Sequence, residues 1–235
     1  MVGKIGCVFL CVVSCRAQAA LHQGGTVTGT LTGADGKTIS GGYVSLHLSQ
    51  ASAQGRHGQT DWATIAGTGG AFRFTGLSEG RFRLCAQVPK TAWLNPCEWG
   101  LQPPVVSLSA TQPAVSVTMV LKIGAVVPIR VEDPGQFLSQ NEGKIPGAHL
   151  LMGVADDGHA FRTVSLLSQD ASGRNSQIVV PFGSAAKLVV FSSFFHLADD
   201  QGRPLAQAVS YTVPLTVPAG QQPAPIKLTV TGGGH

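Results

Sequence analysis

Residues 70–84 read GAFRFTGLSEGRFRL, and this stretch decides the fold. Large apolar residues recur at every second position on both sides of a short interruption: Phe72, Phe74, Phe82 and Leu84. Alternation with a period of two predicts two β-strands that turn one face to a core. We expect Leu77 to fill the corner between the strands, and Gly80 to allow a turn that a Cβ atom would hinder.

The same alternation recurs through the first half of the chain. Short strands are predicted at residues 26–31, 43–48, 61–66, 71–74, 81–85, 105–108 and 115–121. Gly-rich and Asp-Gly turns separate them, as at Asp35-Gly36. No window sustains the apolar spacing of an amphipathic helix. Evenly spaced short strands favour a β-sandwich over a βαβ fold.

The second half shows the same kind of pattern. Strands are predicted at residues 126–131, 149–155, 161–167, 177–182, 187–192, 209–217 and 226–231. The fold class is therefore all-β, with two tandem Ig-like sandwich domains at 20–123 and 124–235; the alternative is one large sandwich. An Asp200-to-Gly202 turn echoes the Asp35-Gly36 turn of the first half and hints at a repeat.

Residues 1–19 have the features of an export signal. Lys4 precedes the apolar run IGCVFLCVVS at 5–14, which is too short for a helix across a bilayer, and residues 17–19 fit an A-x-A cleavage site. We expect cleavage after Ala19 and an extracytoplasmic location: secreted, periplasmic or in the cell envelope. The alternative is a lipobox, VVSC at residues 12–15, in which Cys15 becomes lipidated.

The charge of the chain does not favour a nucleic-acid partner. Cleavage after Ala19 would leave 14 basic and 12 acidic residues, with no run of Lys or Arg. A nucleic-acid-binding surface shows a clustered basic face. Membrane contact is expected only if Cys15 is lipidated.

Two of the five cysteines, Cys85 and Cys97, lie outside the predicted signal. In an oxidising compartment two cysteines favour one disulfide, which would contribute about 3 kcal/mol. The alternative is a pair of free thiols, with Cys85 buried in a strand and Cys97 in a loop.

Three segments of the first half share a pattern with a known family. They are VTGTL at 27–31 with the Asp35-Gly36 turn, GGYVSL at 41–46, and the 70–84 stretch. Over residues 24–90 the chain resembles the carboxypeptidase regulatory-like family. Its fold is like transthyretin and like carbohydrate-binding sandwich modules. The resemblance implies a transthyretin-like sandwich with an accessory role, because the family is named for a domain that stands beside a peptidase.

No sequence motif indicates catalysis or metal binding. There is no G-x-S-x-G elbow, no zinc-peptidase pattern, and no G-x-G-x-x-G between a strand and a helix. The seven histidines are scattered, and His47 should face away from the core. Residues 156–159, DDGH, lack the spaced carboxylates of a calcium loop and are expected to form a turn. We expect no enzyme activity, no metal and no cofactor.

The tryptophans are the most informative feature for binding. All three lie in the first half, and residues 93–99 read WLNPCEW in a loop-like stretch. Exposed Trp93 and Trp99 would stack on sugar rings while Asn95 or Glu98 bonds the hydroxyls. A Cys85–Cys97 bridge would hold the loop still and lower the ordering cost of binding. Alternatively, the loop tucks its tryptophans onto the sandwich.

The sequence favours two functions, and a third hypothesis is a hydrolase of unfamiliar type, which would need a pocket of convergent polar residues. One is a non-catalytic module of the cell envelope or exterior that mediates protein–protein or structural interactions, with an envelope protein as partner. The alternative is a carbohydrate-binding module that uses Trp93 and Trp99 as a platform for a polysaccharide.

Overall fold

The computed structural model describes residues 24–51, 60–156, 162–205 and 210–234. The predicted signal at 1–19, the cleavage site after Ala19 and the alternative lipidated Cys15 lie outside the described residues, as does most of the 156–159 turn.

The first half folds into seven strands. They are β1 (Gly25–Gly33), β2 (Tyr43–Ala51), β3 (Asp61–Ile65), β4 (Ala71–Leu77), β5 (Gly80–Gln87), β6 (Val105–Leu108) and β7 (Ala114–Leu121). A single 3-10 turn, Thr68–Gly70, precedes β4. The strands form two sheets with the orders β4-β1-β7 and β3-β2-β5-β6. The first and last strands, β1 and β7, pair in parallel, and the other pairs are antiparallel.

The second half contributes nine strands and one short helix. They are β8 (Ala125–Glu132), α1 (Phe137–Asn141), β9 (Leu151–Asp156), β10 (Arg162–Thr163), β11 (Ser165–Asp170), β12 (Gly173–Val180), β13 (Ala185–Phe191), β14 (Phe195–Ala198), β15 (Ser210–Thr216) and β16 (Ile226–Gly233). Their sheets have the orders β11-β12-β8-β16-β14 and β10-β9-β13-β15.

The two halves share one topology. In each half the first strand pairs in parallel with the last one: β1 with β7, and β8 with β16. The second sheet follows the same order in both halves, β3-β2-β5-β6 and β10-β9-β13-β15. The chain is therefore an all-β protein of two like sandwiches, as predicted, although the division at residues 123 and 124 stays a prediction.

The 70–84 stretch behaves as the alternation predicts. Its four alternating large residues are at most 5% exposed, and Leu77 is 2% exposed at the corner. A Cβ atom on Gly80 would lie 2.8 Å from the carbonyl oxygen of Gln50, too close for any side chain. Each half has its own apolar core between its two sheets, and the larger core belongs to the second half.

Two elements of the second half were not predicted. Helix α1 spans only five residues, too few to show a helical period, and the Asp133 carboxylate accepts hydrogen bonds from the Phe137 and Leu138 N–H groups at its start. Strand β14 follows β13 after a tight turn, in which the Ser192 hydroxyl accepts from the Phe195 N–H. That turn contains neither Gly nor Pro, so the sequence shows no break.

A buried ion pair fixes the α1 segment to the sandwich. The Arg174 guanidinium on β12 pairs with the Glu142 carboxylate, which also accepts from the Leu150 N–H at 3.1 Å. Burial lowers the pKa of Arg174, while the nearby Asp133 carboxylate raises it. Removing the Glu142 charge would leave the buried Arg174 guanidinium without this partner, which is costly.

Candidate functional site: the β5–β6 loop and the cleft beside it

The predicted disulfide is present and anchors the long loop between β5 and β6, residues 88–104. Cys85 lies on β5 and bonds to Cys97 in the middle of this β5–β6 loop. The Asn95 side-chain oxygen accepts the Cys97 N–H at 3.0 Å and shapes the turn before the bridge. The middle of the loop is thus tied to the outer face of the first sandwich.

The loop also runs along the segment that joins the two halves. Trp93 and Ile123 form an antiparallel bridge. The Leu94 N–H donates to the Lys122 carbonyl at 2.9 Å, and the Gly124 N–H donates to the Ala92 carbonyl at 2.8 Å. In the second half β14 pairs with β16 at the equivalent position. The same loop of the fold therefore pairs beside the last strand in both sandwiches, through one isolated bridge in the first half and through strand β14 in the second.

Beyond this bridge the loop enters the core of the second half. Leu94 is 4% and Trp99 8% exposed, and both belong to the apolar cluster of the second sandwich. Trp93 is partly buried and packs against the first core instead. Trp99 has φ +57°, a left-handed conformation that costs a non-glycine residue energy and persists only where packing demands it.

The expected sugar platform of Trp93 and Trp99 is therefore wrong in its geometry. The two rings pack on different cores, and the large apolar area of Trp99 is covered by protein. Trp99 is buried, as in the alternative in which the tryptophans pack onto the sandwich. It packs in the core of the second sandwich, however, and not on the first sandwich, to which its loop belongs.

Arg162, a residue of the second half, lies over the face of the Trp99 ring. The Arg162 Cζ atom lies 4.0 Å from the centre of the Trp99 ring, which is the geometry of a cation–π contact. Arg162 Nε is also 3.8 Å from Glu98 Oε2. Asn95 Nδ2 donates to Glu98 Oε1 at 3.1 Å. Burial raises the pKa of Glu98, and Arg162 and Asn95 lower it in part.

A small polar cleft opens between the halves beside this contact. Its volume is about 170 Å³, and both halves line it. The first half supplies Trp93, Asn95 and Glu98, together with residues 87–91. The second half supplies Arg162, Ser165 and residues 177–179. Three of the four predicted binding residues thus line one cleft, and Trp99 does not.

Sequence reasoning missed Arg162 and Gln177 because they stand 64 and 79 residues beyond Glu98 along the chain. Nothing near either residue marks it as a partner of the loop. Only the packing of the second sandwich against the β5–β6 loop brings them to the cleft.

Among the described residues, no group of three or more His, Cys, Asp or Glu side chains could hold a metal ion. No helix in the described ranges is long and apolar enough to cross a membrane.

Comparison with known proteins identifies no family for this chain. No family model matches the chain, and no curated protein matches it. Among solved structures, the minor pilin GBS52 of Streptococcus agalactiae is 11% identical, with a TM-score of 0.40 over 90% of this chain and 98% of that one. A streptococcal ancillary pilin gives the same identity and score over 88% of this chain.

The chain spans 62% of the length of that ancillary pilin. A DUF3823 family protein from Parabacteroides merdae is 12% identical, with a TM-score of 0.30 over 83% of this chain and 81% of that one. Likeness at this level carries no functional argument. The resemblance to the carboxypeptidase regulatory-like family stays a prediction.

Proposed function

We propose that this protein is an extracytoplasmic structural module in which the β5–β6 loop fastens two sandwiches into one rigid unit that engages other envelope proteins. The observation that carries the proposal is the burial of Leu94 and Trp99, two residues of the first half, in the core of the second.

The energetics favour a fixed arrangement. Domains within one chain usually move relative to each other unless their interface is large and apolar. A tryptophan buries roughly 150–250 Å². At about 25 cal/mol per Å², this is worth about 4–6 kcal/mol as an upper estimate. Leu94 adds to that burial, and the disulfide holds the loop in place before it docks.

The disulfide also supports the proposed location. Disulfides persist in secreted and periplasmic compartments and are rare in the cytosol. The Cys85–Cys97 bridge therefore agrees with the export signal expected at residues 1–19. If the signal is cleaved after Ala19, N-terminal sequencing of the exported protein should give Ala20 as the first residue. A mature protein that begins with a lipidated Cys15 would contradict this cleavage site.

Calorimetry tests the structural proposal. Residues 20–235 should unfold in one transition with equal calorimetric and van't Hoff enthalpies, because the halves share buried residues. Two separate transitions, unaffected by Trp99→Ala, would contradict a rigid unit.

A second candidate, carbohydrate binding, is favoured by the cleft. Ligand sites prefer domain interfaces and combine an apolar wall with a few convergent polar groups. Trp93 offers a partly exposed wall, while Asn95, Glu98 and Gln177 offer hydrogen bonds. The volume is below the roughly 300–1,000 Å³ of drug-sized pockets, which suits the end of a sugar chain.

Tryptophan fluorescence tests the carbohydrate candidate. A panel of soluble polysaccharides should protect the wild type from iodide quenching, and Trp93→Ala should abolish that protection. Trp62→Ala serves as the matched control, since Trp62 packs against Phe82 away from the cleft. Emission that no sugar alters would exclude this candidate and leave the structural one.

A further inference from the structure

Three polar side chains stand together on the outer face of the first sandwich, on the sheet that carries Cys85. Ser45 and His47 occupy alternate positions of β2 and face outward, in alternation with the buried Val44 and Leu46. Asp61 lies on the neighbouring strand β3, directly opposite His47 in the strand register. Two paired strands, and no flexible loop, therefore fix the three side chains relative to one another.

The hydrogen bonds link the three groups in one order. Ser45 Oγ is 2.9 Å from His47 Nε2, and His47 Nδ1 is 2.5 Å from Asp61 Oδ1. The Thr60 hydroxyl donates to the other oxygen, Asp61 Oδ2, at 2.8 Å. The hydrogen bond from His47, followed by that from Thr60, lowers the pKa of Asp61 and keeps it ionised.

An ionised Asp61 sets the protonation of the imidazole. A carboxylate accepts and cannot donate, so His47 Nδ1 carries the hydrogen. The other nitrogen, Nε2, then accepts a hydrogen bond from the Ser45 hydroxyl. This is the arrangement of a nucleophile, a base and a group that orients the base.

Ser45 is partly exposed on this face. Across β3, Ser45 stands opposite Ala63, whose side chain is a single methyl group. On the other side Cys85 stands opposite Ser45, and Arg83 stands opposite His47. Arg83 is exposed on the same face and places a positive charge beside the relay.

We propose that Ser45, His47 and Asp61 form a nucleophilic relay that reacts with carboxylic esters reaching this face from solvent. This activity goes beyond the structural role and does not depend on it. It also departs from the expectation of a non-catalytic chain, which rested on the lack of a sequence motif.

The reaction balances without any cofactor. Ser45 Oγ adds to the ester carbonyl carbon, and its proton passes to His47 Nε2. The C–O bond to the alcohol breaks, and the leaving alcohol takes the proton from His47. A water molecule then adds to the acyl-Ser45 carbonyl carbon and gives a proton to His47. The bond from that carbon to Ser45 Oγ breaks, Oγ takes the proton back from His47, and the carboxylic acid leaves.

A fluorophosphonate probe tests the relay directly. Ser45 attacks the phosphorus atom, fluoride leaves, and a stable adduct remains that peptide mass spectrometry locates. Ser49 on the same strand is an internal control, because its hydroxyl donates to the Arg81 carbonyl and not to a histidine. We expect an adduct on Ser45 and none on Ser49.

Variants separate a relay from an ordinary exposed hydroxyl. General-base assistance is worth about 10²–10⁴-fold, so His47→Gln should slow labelling of Ser45 by about 100-fold or more. Asp61→Asn should slow it as well, and Ser45→Ala should remove both the adduct and any p-nitrophenyl acetate hydrolysis that depends on it. Labelling of Ser45 no faster than that of Ser49, or unchanged by His47→Gln, would overturn the proposal.

Discussion

Trp99 belongs to the first half of the sequence, but its replacement with alanine should destabilise the second half. Removing a buried aromatic ring costs about 3–5 kcal/mol. Loss of the Arg162 contact over the ring, 4.0 Å from its centre, adds a cation–π contribution of about 0.5–2 kcal/mol. We expect a loss of about 4 kcal/mol in the free energy of unfolding of the second sandwich.

Hydrogen exchange with mass spectrometry reports this loss strand by strand. A change of 1.4 kcal/mol is tenfold in an equilibrium constant, so the slowest amides of β8 and β13 should lose protection by about 10³-fold in Trp99→Ala. The matched control is Trp62→Ala. Trp62 packs against the first core, 5.7 Å from the Phe82 ring centre, and leaves the junction intact, so its loss should lower protection of the slowest amides in both halves alike.

The outcome of this comparison is decisive. If Trp99→Ala leaves exchange in β8 and β13 unchanged and lowers protection only in β1 and β5, the loop does not support the second core. The reasoning from burial would then be refuted.

The remaining predictions concern the loop anchor, the junction and acid stability. Cys85→Ser with Cys97→Ser should cost about 3 kcal/mol in denaturant unfolding, because the bridge closes a separation of 12 residues; an unchanged midpoint would contradict this. Gly124→Ala should lower the melting temperature, since its Cβ would lie 2.6 Å from the Val180 carbonyl oxygen, whereas Gly67→Ala, with 3.7 Å of clearance, should be tolerated. The pKa of Asp170 is lowered from 3.8 to about 2 by the Ser172 hydroxyl, then Arg130. A depressed carboxyl pKa stabilises the fold above pH 4, so the advantage of the wild type over Asp170→Asn should shrink between pH 4 and about 2; a constant difference would count against it.

The sequence predicts the strands well because their signal is local. In the 70–84 stretch the alternation of Phe72, Phe74, Phe82 and Leu84 is enough to assign both strands and their buried face. The disulfide was predicted because only Cys85 and Cys97 lie outside the predicted export signal. Helix α1 was missed because it is too short to show a period, and strand β14 was missed because no Gly or Pro separates it from β13.

The candidate site depends on contacts that sequence spacing does not show. Trp93 and Trp99 look like a pair in WLNPCEW, yet one packs on each core, because the loop crosses the junction between them. His47 was correctly placed on the outer face, but its contact with Asp61 depends on the register of β2 with β3. The partners Arg162 and Gln177 come from another sandwich, and no local pattern identifies them.

The most direct test of the rigid unit is the distance between the two sandwiches in solution. Spin labels attached through non-cysteine chemistry at Arg73 on β4 and Lys187 on β13, both exposed, leave the disulfide intact. Double electron–electron resonance should give a single narrow distance distribution for the wild type and a broader one for Trp99→Ala. A broad distribution in the wild type, no different from that of the variant, would contradict the account.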